Sequence, residues 1–309
     1  MPVSVAEYLG VRTDTSVLVQ PLATLASKPT VPCPFRNAHC LKAKKGQQPV
    51  CSVRDNSGEL WIVCEHRLCA TTPKAGPVND HQKNILRLIG KAIYSQNITD
   101  QEILIKREEQ IPITATSDYK ADFIMWRLNP NSGSPIAGDK AAIVEIQGGG
   151  ETAGTEKLTA HLKEWANLPS PTNQGLRKSA NATPLVTNAW RRQQEQFLVK
   201  GSVAMLTGAK IAFCVGSLLY DYLIQRLTTV NLQDLKGDNW SLALLAFVED
   251  SNGTPPSCAP HSIQFKIDPD RTLYTNYFSF VQALTNQGAP QPAVFTGDYQ
   301  DLNGTTVSV

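Results

Sequence analysis

One short run of sequence decides the fold that we predict for this chain: Ala141-Ala142-Ile143-Val144-Glu145-Ile146-Gln147, followed by Gly148-Gly149-Gly150. The small and apolar residues predict a buried β-strand, and the glycines predict a sharp turn or a close approach of the backbone to a ligand. Because side chains alternate between the two faces of a strand, Glu145 and Gln147 point the same way. The run is typical either of a strand that ends at a solvated carboxylate or of half of a metal-dependent phosphodiesterase site.

A second carboxylate, Asp122, interrupts the apolar and aromatic stretch 119–126. We predict that this stretch is an antiparallel neighbour of the first strand, because Asn129-Pro130-Asn131-Ser132-Gly133 and Gly138-Asp139 between them favour a hairpin connection. Carboxylates on adjacent strands can hold Mg²⁺, a hard cation that binds few protein oxygens and keeps several waters. Such a cation would polarise a scissile phosphate and lower the pKa of an attacking water.

The length of 309 residues allows one large domain or two modest ones, and 29 Lys and Arg against 27 Asp and Glu give a net charge of +2. Between Lys28 and Arg54 there are six basic residues and no acidic one, which favours either a surface along a phosphate backbone or a solvated basic face. No run reaches the roughly 18 apolar residues of a membrane span. The first ten residues lack the basic start and apolar centre of a signal peptide, so we expect a cytoplasmic protein.

Five of the seven cysteines lie within 37 residues, namely Cys33, Cys40, Cys51, Cys64 and Cys69. In a reducing compartment such a cluster favours a metal site over disulfide bonds. The alternative is a set of ordinary small buried residues, and the spacing contains no C-x-x-C pair that would select the metal site. Thiolates accept Zn²⁺ or Fe²⁺ with similar geometry, so the residues leave the metal open.

The remaining pattern predicts an α/β chain, because strands and helices alternate through its centre. The predicted helices are 3–11, 80–94, 155–168, 189–206, 218–227 and 272–284. The predicted strands are 102–106, 119–126, 141–147, 208–215, 241–248 and 262–267. We expect an N-terminal segment, 1–75, with one helix and the clustered cysteines, then a core, 76–290, and a tail, 291–309, rich in Pro, Gly and Asn.

Three groups of motifs carry a resemblance to a known family. The first is Cys33-Pro34-Phe35, Cys40-Leu41-Lys42-Ala43, Val50-Cys51-Ser52-Val53 and Trp61-Ile62-Val63-Cys64 with Arg67. The second is Asp122 followed by Val144-Glu145-Ile146-Gln147, and the third is the helix through Trp190-Arg191-Arg192 followed by the strand from Ala209 to Cys214. Together they resemble the NotI-type restriction endonucleases, an E-x-Q branch of the PD-(D/E)xK nuclease superfamily, over roughly residues 7–248.

The resemblance implies a restriction-endonuclease-like mixed β-sheet core flanked by helices, with a small N-terminal four-cysteine metal-binding subdomain. It implies that Asp122, Glu145 and Gln147 are catalytic, and that Asp122, Glu145 and the Ile146 carbonyl bind the catalytic Mg²⁺. It also implies a structural Fe or Zn ion on four thiolates, Cys33, Cys40, Cys51 and Cys64.

Gln147 stands where most PD-(D/E)xK nucleases have a lysine, and an amide cannot act as a base. The base is therefore open between a hydroxide on the cation, a substrate phosphate, Lys120 and Lys157. Glu151 is a further, weaker candidate for a metal ligand.

By resemblance, the chain is expected to be a type II restriction endonuclease that acts as a homodimer on a GC-rich palindromic site in double-stranded DNA. It would use Mg²⁺ and no nucleotide cofactor, would contact no membrane, and would leave 5′-phosphate and 3′-hydroxyl ends. Its host would need a cognate DNA methyltransferase. The expected DNA contacts are the basic residues Lys42, Lys44, Lys45, Arg177, Lys178, Arg191 and Arg192. The alternatives are a non-catalytic metal-cysteine DNA-binding protein and a methyl-dependent or repair nuclease.

Overall fold

A computed structural model describes residues 2–22, 30–44, 48–112, 118–148, 152–227, 232–237, 239–286, 295–300 and 302–309 of the chain. The helices are α1 (Leu41–Lys44), α2 (Asp80–Ile93), α3 (Thr155–Ala166), α4 (Asn173–Leu176), α5 (Val186–Leu206), α6 (Ser217–Leu227) and α7 (Tyr277–Thr285). The first strands are β1 (Ser4–Tyr8), β2 (Val11–Arg12), β3 (Val50–Arg54), β4 (Leu60–Ile62), β5 (Ile103–Pro112), β6 (Asp118–Arg127) and β7 (Ala142–Gln147). The later strands are β8 (Thr152–Ala153), β9 (Thr183–Pro184), β10 (Lys210–Gly216), β11 (Leu242–Glu249), β12 (Phe265–Thr275), β13 (Asp298–Gln300) and β14 (Thr306–Ser308).

The centre of the fold is a six-stranded mixed sheet in the order β12-β11-β10-β7-β6-β5. Strand β10 is parallel to both β7 and β11, and the other neighbours are antiparallel. Parallel neighbours need long crossover connections, and the chain supplies them with the helices between β7 and β10 and with α6 between β10 and β11. The predicted α/β class is confirmed as a mixed sheet flanked by helices.

Helices cover both faces of this sheet, as the alternation along β10 shows. Ile211, Phe213 and Val215 belong to a buried cluster that includes residues of α3, α5, α6 and α7. Ala212 and Cys214 belong to a second cluster that includes residues of α2. Because both faces are buried, the central strands are continuous apolar runs and lack the polar alternation of a half-exposed sheet.

The N-terminal segment forms a second, antiparallel sheet in the order β2-β1-β3-β4. The predicted helix over residues 3–11 is therefore wrong, because Ser4–Tyr8 is the strand β1. Val5, Ala6, Glu7 and Tyr8 are all buried, so the segment is covered on both sides, which a helix with one apolar stripe does not allow. Val5 and Tyr8 pack in the same cluster as residues of α3 and α5, so this sheet is anchored to the main core.

Several predicted elements occupy nearly their predicted bounds, including the helices α2, α3, α5 and α6 and the strands β6, β7, β10 and β11. The last helix begins later than expected, because β12 continues to Thr275 and Asn276 caps α7 by accepting a hydrogen bond from the Phe278 amide at 2.9 Å. The tail was expected to be loop, yet β13 and β14 form an exposed hairpin. Within the described ranges, none of the helices is long and apolar enough to cross a membrane.

Candidate active site

Asp122 and Glu145 lie next to each other at the end of the β6–β7 ladder. The last residues paired there are Phe123 and Val144, and the two carboxylates occupy the next position on each strand. The Ile146 amide donates a hydrogen bond to Asp122 Oδ2 at 2.8 Å, which joins the strands one step beyond the ladder. The predicted antiparallel pairing of these strands is thus confirmed.

Glu145 is buried and Asp122 is half-buried, and the loss of solvent changes the acidity of both. Burial is the main cause that raises the pKa of Glu145 to about 8, the charge of Asp122 adds to the rise, and Lys200 opposes it. Burial also raises the pKa of Asp122, while the hydrogen bond from the Ile146 amide lowers it. Glu145 is 4 % exposed, and its Oε1 has no hydrogen-bond partner among the described residues. Two adjacent carboxylates that repel each other, one of them with an unpaired oxygen, suit a divalent cation.

Lys200 is the site residue that the sequence analysis missed. Its Nζ lies 2.6 Å from Glu145 Oε2 and donates to the Lys120 carbonyl oxygen at 2.5 Å. Lys200 is only 3 % exposed. The sequence carried one signal, because Lys200 follows buried Phe197 by three residues and precedes buried Ala204 by four, which places it on the apolar side of α5. A lysine on a buried face requires a partner.

The carboxylates line a cavity of about 350 Å³ with three walls. The sheet contributes Lys120, Asp122, Glu145, Ile146 and Gln147, helix α5 contributes Gln193, Gln196 and Lys200, and the segment after Cys64 contributes Glu65, His66, Cys69 and Thr71. The N-terminal segment therefore reaches the candidate site directly, which the sequence did not predict.

The third motif residue, Gln147, is held by a neighbour on α5. Gln193 Nε2 donates a hydrogen bond to Gln147 Oε1 at 2.7 Å, which fixes the orientation of the Gln147 amide. Of the lysines considered as bases, Lys120 lines the cavity, whereas Lys157 is exposed on α3 and is not among the described lining residues. Glu151 lies outside the described residues.

Glu108 is a further residue near the candidate site that the sequence did not predict, and its side chain is acidic. It lies on β5 between two residues paired with β6, and its φ of 50° is in the left-handed region that side chains rarely adopt. Its carboxylate accepts hydrogen bonds from Thr71 Oγ1 at 2.9 Å and from Lys120 Nζ at 2.8 Å. Its charge contributes to the raised pKa of Asp122, so Glu108 acts on the site from the edge of the sheet.

The four cysteines of the motif converge on one region. Cys33, Cys40 and Cys51 pack in one small buried cluster, and the Cys64 amide donates to the Cys51 carbonyl at 3.2 Å. All four are free thiols. Burial raises the pKa of Cys33 and of Cys51, and raises that of Cys64 to about 12.

The closeness of these four cysteines does not by itself make a metal site. In the described part of the chain, no group of three or more His, Cys, Asp or Glu side chains is arranged to hold a metal ion. Cys69 is separate from the four, because it packs in the core cluster with α2 and lines the candidate cavity.

The basic residues expected to contact DNA lie, as far as the structure describes them, on three elements: α1, the segment after α4, and α5. Lys42 Nζ lies 3.3 Å from Oε2 of Glu65, which lines the cavity. Arg177 and Lys178 are exposed after α4, and Arg191 is exposed on α5, two residues before Gln193. Arg192 follows on the same helix, and Lys44 is the last residue of α1. Lys45 lies outside the described residues.

No protein-family model matches the sequence, and comparison with curated proteins finds no significant match. A functional interpretation of this chain therefore depends on its own residues and on their arrangement.

Proposed function

We propose that the chain is a type II restriction endonuclease of the NotI type, which hydrolyses phosphodiester bonds of double-stranded DNA at a specific, GC-rich palindromic site with Mg²⁺. One observation carries the proposal: Asp122 and Glu145, on two consecutive strands, lie side by side in a polar cavity that also holds a buried lysine. Paired carboxylates with raised pKa values beside a lysine in a cleft are typical of a catalytic site.

The residues present fit a hard divalent cation. The carboxylates of Asp122 and Glu145 would hold it, with the Ile146 carbonyl as a further ligand. When bound, Mg²⁺ supplies polarisation of the scissile phosphate and a lowered pKa of the attacking water. Oε1 of Glu145 has no hydrogen-bond partner among the described residues, so a bound cation would satisfy this oxygen after a small shift of the buried side chain.

The wider superfamily has a lysine at the position of Gln147. In this chain Lys200 supplies the positive charge of that lysine, and Gln147 supplies its hydrogen bond to water. The Lys200 ammonium group, held by Glu145 and by the Lys120 carbonyl, stabilises the negative charge that develops on the phosphate oxygens. The Gln147 amide, oriented by Gln193, positions water by hydrogen bonding and takes no proton. Attack of water at phosphorus breaks the bond to the 3′ oxygen and leaves a 5′-phosphate and a 3′-hydroxyl.

The rest of the proposal concerns DNA binding. Two protomers related by a two-fold axis would each cut one strand of a palindromic duplex, and a cognate methyltransferase would protect the host DNA. An Fe or Zn ion on Cys33, Cys40, Cys51 and Cys64 would brace α1 and its lysines against the phosphate backbone. Cys40 directly precedes α1 and shares one buried cluster with Cys33 and Cys51, which supports this role.

The test is digestion of phage DNA followed by run-off sequencing of the products. With Mg²⁺, the wild-type protein is expected to cut at one sequence, whereas Asp122→Ala and Glu145→Ala bind that sequence in Ca²⁺ without cutting it. Glu109→Ala is the control, because Glu109 lies on the neighbouring strand β5 and pairs with Lys106 at the surface.

The digestion also separates the alternatives. Binding without cleavage by the wild-type protein indicates a DNA-binding protein, and cleavage confined to methylated DNA indicates a methyl-dependent nuclease. Unchanged cleavage by both carboxylate variants contradicts the assignment of the site.

A further inference from the structure

Three residues that line the candidate cavity each have one buried side-chain atom with no hydrogen-bond partner among the described residues. The atoms are Nε2 of His66, Oε1 of Glu145 and Oε1 of Gln196, and each belongs to a different wall. Buried polar atoms without partners cost free energy and are few in native proteins. All three residues line the same cavity, so a polar ligand bound there would supply the missing partners once these side chains turn toward it.

His66 belongs to a tightly held turn of the cysteine segment. The Cys64 amide donates to the Cys51 carbonyl at 3.2 Å, and the Arg67 amide donates to the Cys64 carbonyl at 3.0 Å. Arg67 is fully buried and bonds Glu7 through its guanidinium group. The backbone of His66 is therefore fixed on both sides, which places its imidazole in the wall of the cavity.

The surroundings of His66 favour an anionic ligand. The nearest carboxylate, Oε1 of Glu65, is 3.9 Å from Nε2, beyond hydrogen-bond distance. Lys120 and Lys200, which pair with Glu108 and Glu145, also line the cavity, and a cation on Asp122 and Glu145 would neutralise the two acids and leave positive charge for an anion. The volume of about 350 Å³ is large enough for a small polar group and its bound water.

We propose that His66 donates a hydrogen bond from Nε2 to a non-bridging oxygen of the scissile phosphate, so that the cysteine segment contributes a substrate contact to the active site. This inference rests on the proposed function. Imidazole carries a suitable N–H both as the neutral Nε2 tautomer and as the cation, so the contact needs no change of protonation. The four-cysteine segment then has two roles, because it holds α1 and it completes the phosphate site.

The test compares His66→Ala, His66→Asn and the control His39→Ala in single-turnover cleavage of the DNA duplex identified by run-off sequencing. His39 is exposed in the same segment, one residue before Cys40, so its loss removes an imidazole outside the cavity. We expect His66→Ala to slow cleavage by about 10- to 100-fold, the effect of one hydrogen bond to a charged group. His66→Asn should recover part of the rate because its amide still donates, and His39→Ala should cut normally.

A substrate in which sulfur replaces one non-bridging oxygen of the scissile phosphate separates contact from structural support. If His66 contacts that oxygen, the sulfur slows the wild-type protein but slows His66→Ala little further. Equal slowing of both proteins by each of the two sulfur isomers, or a full rate in His66→Ala, overturns the inference while the proposed function stands. Absence of cleavage by the wild-type protein overturns both.

Discussion

Removal of the Lys200 ammonium group should destabilise the protein by an amount that depends on pH. Lys200→Met keeps the aliphatic stem but leaves the buried Glu145 without the partner that lies 2.6 Å away. The pKa of Glu145 is about 8, so at about pH 6 Glu145 is already protonated and the loss is that of hydrogen bonds, about 1–3 kcal/mol. At about pH 9 the variant must bury an unpaired carboxylate or protonate it, and the expected loss is about 3–5 kcal/mol.

Urea unfolding followed by tryptophan fluorescence measures these values for the wild-type protein and the variant at both pH values. Lys157→Met is the control, because Lys157 is exposed on α3, and its stability should stay within about 0.5 kcal/mol of the wild type. In a Glu145→Gln background, Lys200→Met should lose its pH dependence. Equal losses at both pH values, with additive effects of the two substitutions, would refute the coupling between Lys200 and Glu145.

Three further predictions concern buried and titrating groups. Arg67→Met should lower the free energy of unfolding by about 3–5 kcal/mol, because it leaves Glu7 buried without its partner; a loss below about 1 kcal/mol in urea unfolding would contradict this. Burial lowers the pKa of His81 to about 3, and the charge of Arg67 adds to the effect. Because an unfolded histidine titrates near 6.5, the free energy of unfolding should fall as the pH falls below 6.5. The loss is about 2 kcal/mol at about pH 5, and His81→Gln should show a flatter stability profile between neutral pH and that value. Because a proton competes with the cation for Glu145, metal affinity should fall by about tenfold for each pH unit below about 8. A Mn²⁺ titration that gives the same affinity across this pH range would contradict this prediction.

The sequence predicted the site as far as local patterns extend. The apolar run before Glu145 and the hairpin signals after Trp126 are local features, and they correctly placed two carboxylates on neighbouring antiparallel strands. Lys200 could not be paired with Glu145 in the same way, because the contact depends on how α5 packs across the sheet. Its apolar phase in α5 indicated a buried lysine but no particular partner.

The N-terminal segment shows the opposite case. Val5, Tyr8 and Leu9 fit a helical stripe in the sequence. In the structure, Glu7 is buried against the guanidinium group of Arg67 from a distant turn, and the segment pairs with β3 as a strand. Likewise, the cysteine spacing gave no hint that Glu65 and His66 would form a wall of the candidate site. Tertiary contacts determine these features, and local patterns in a single sequence do not predict such contacts.

The proposed chemistry requires Asp122 and Glu145 to share one divalent cation. Electron paramagnetic resonance of Mn²⁺ can detect this binding without DNA, because free and bound Mn²⁺ give different signals. We expect Mn²⁺ to bind to the wild-type protein and to Glu109→Gln, with affinity lower by about tenfold or more in Asp122→Asn and in Glu145→Gln. Equal Mn²⁺ affinity in all four proteins would contradict this expectation.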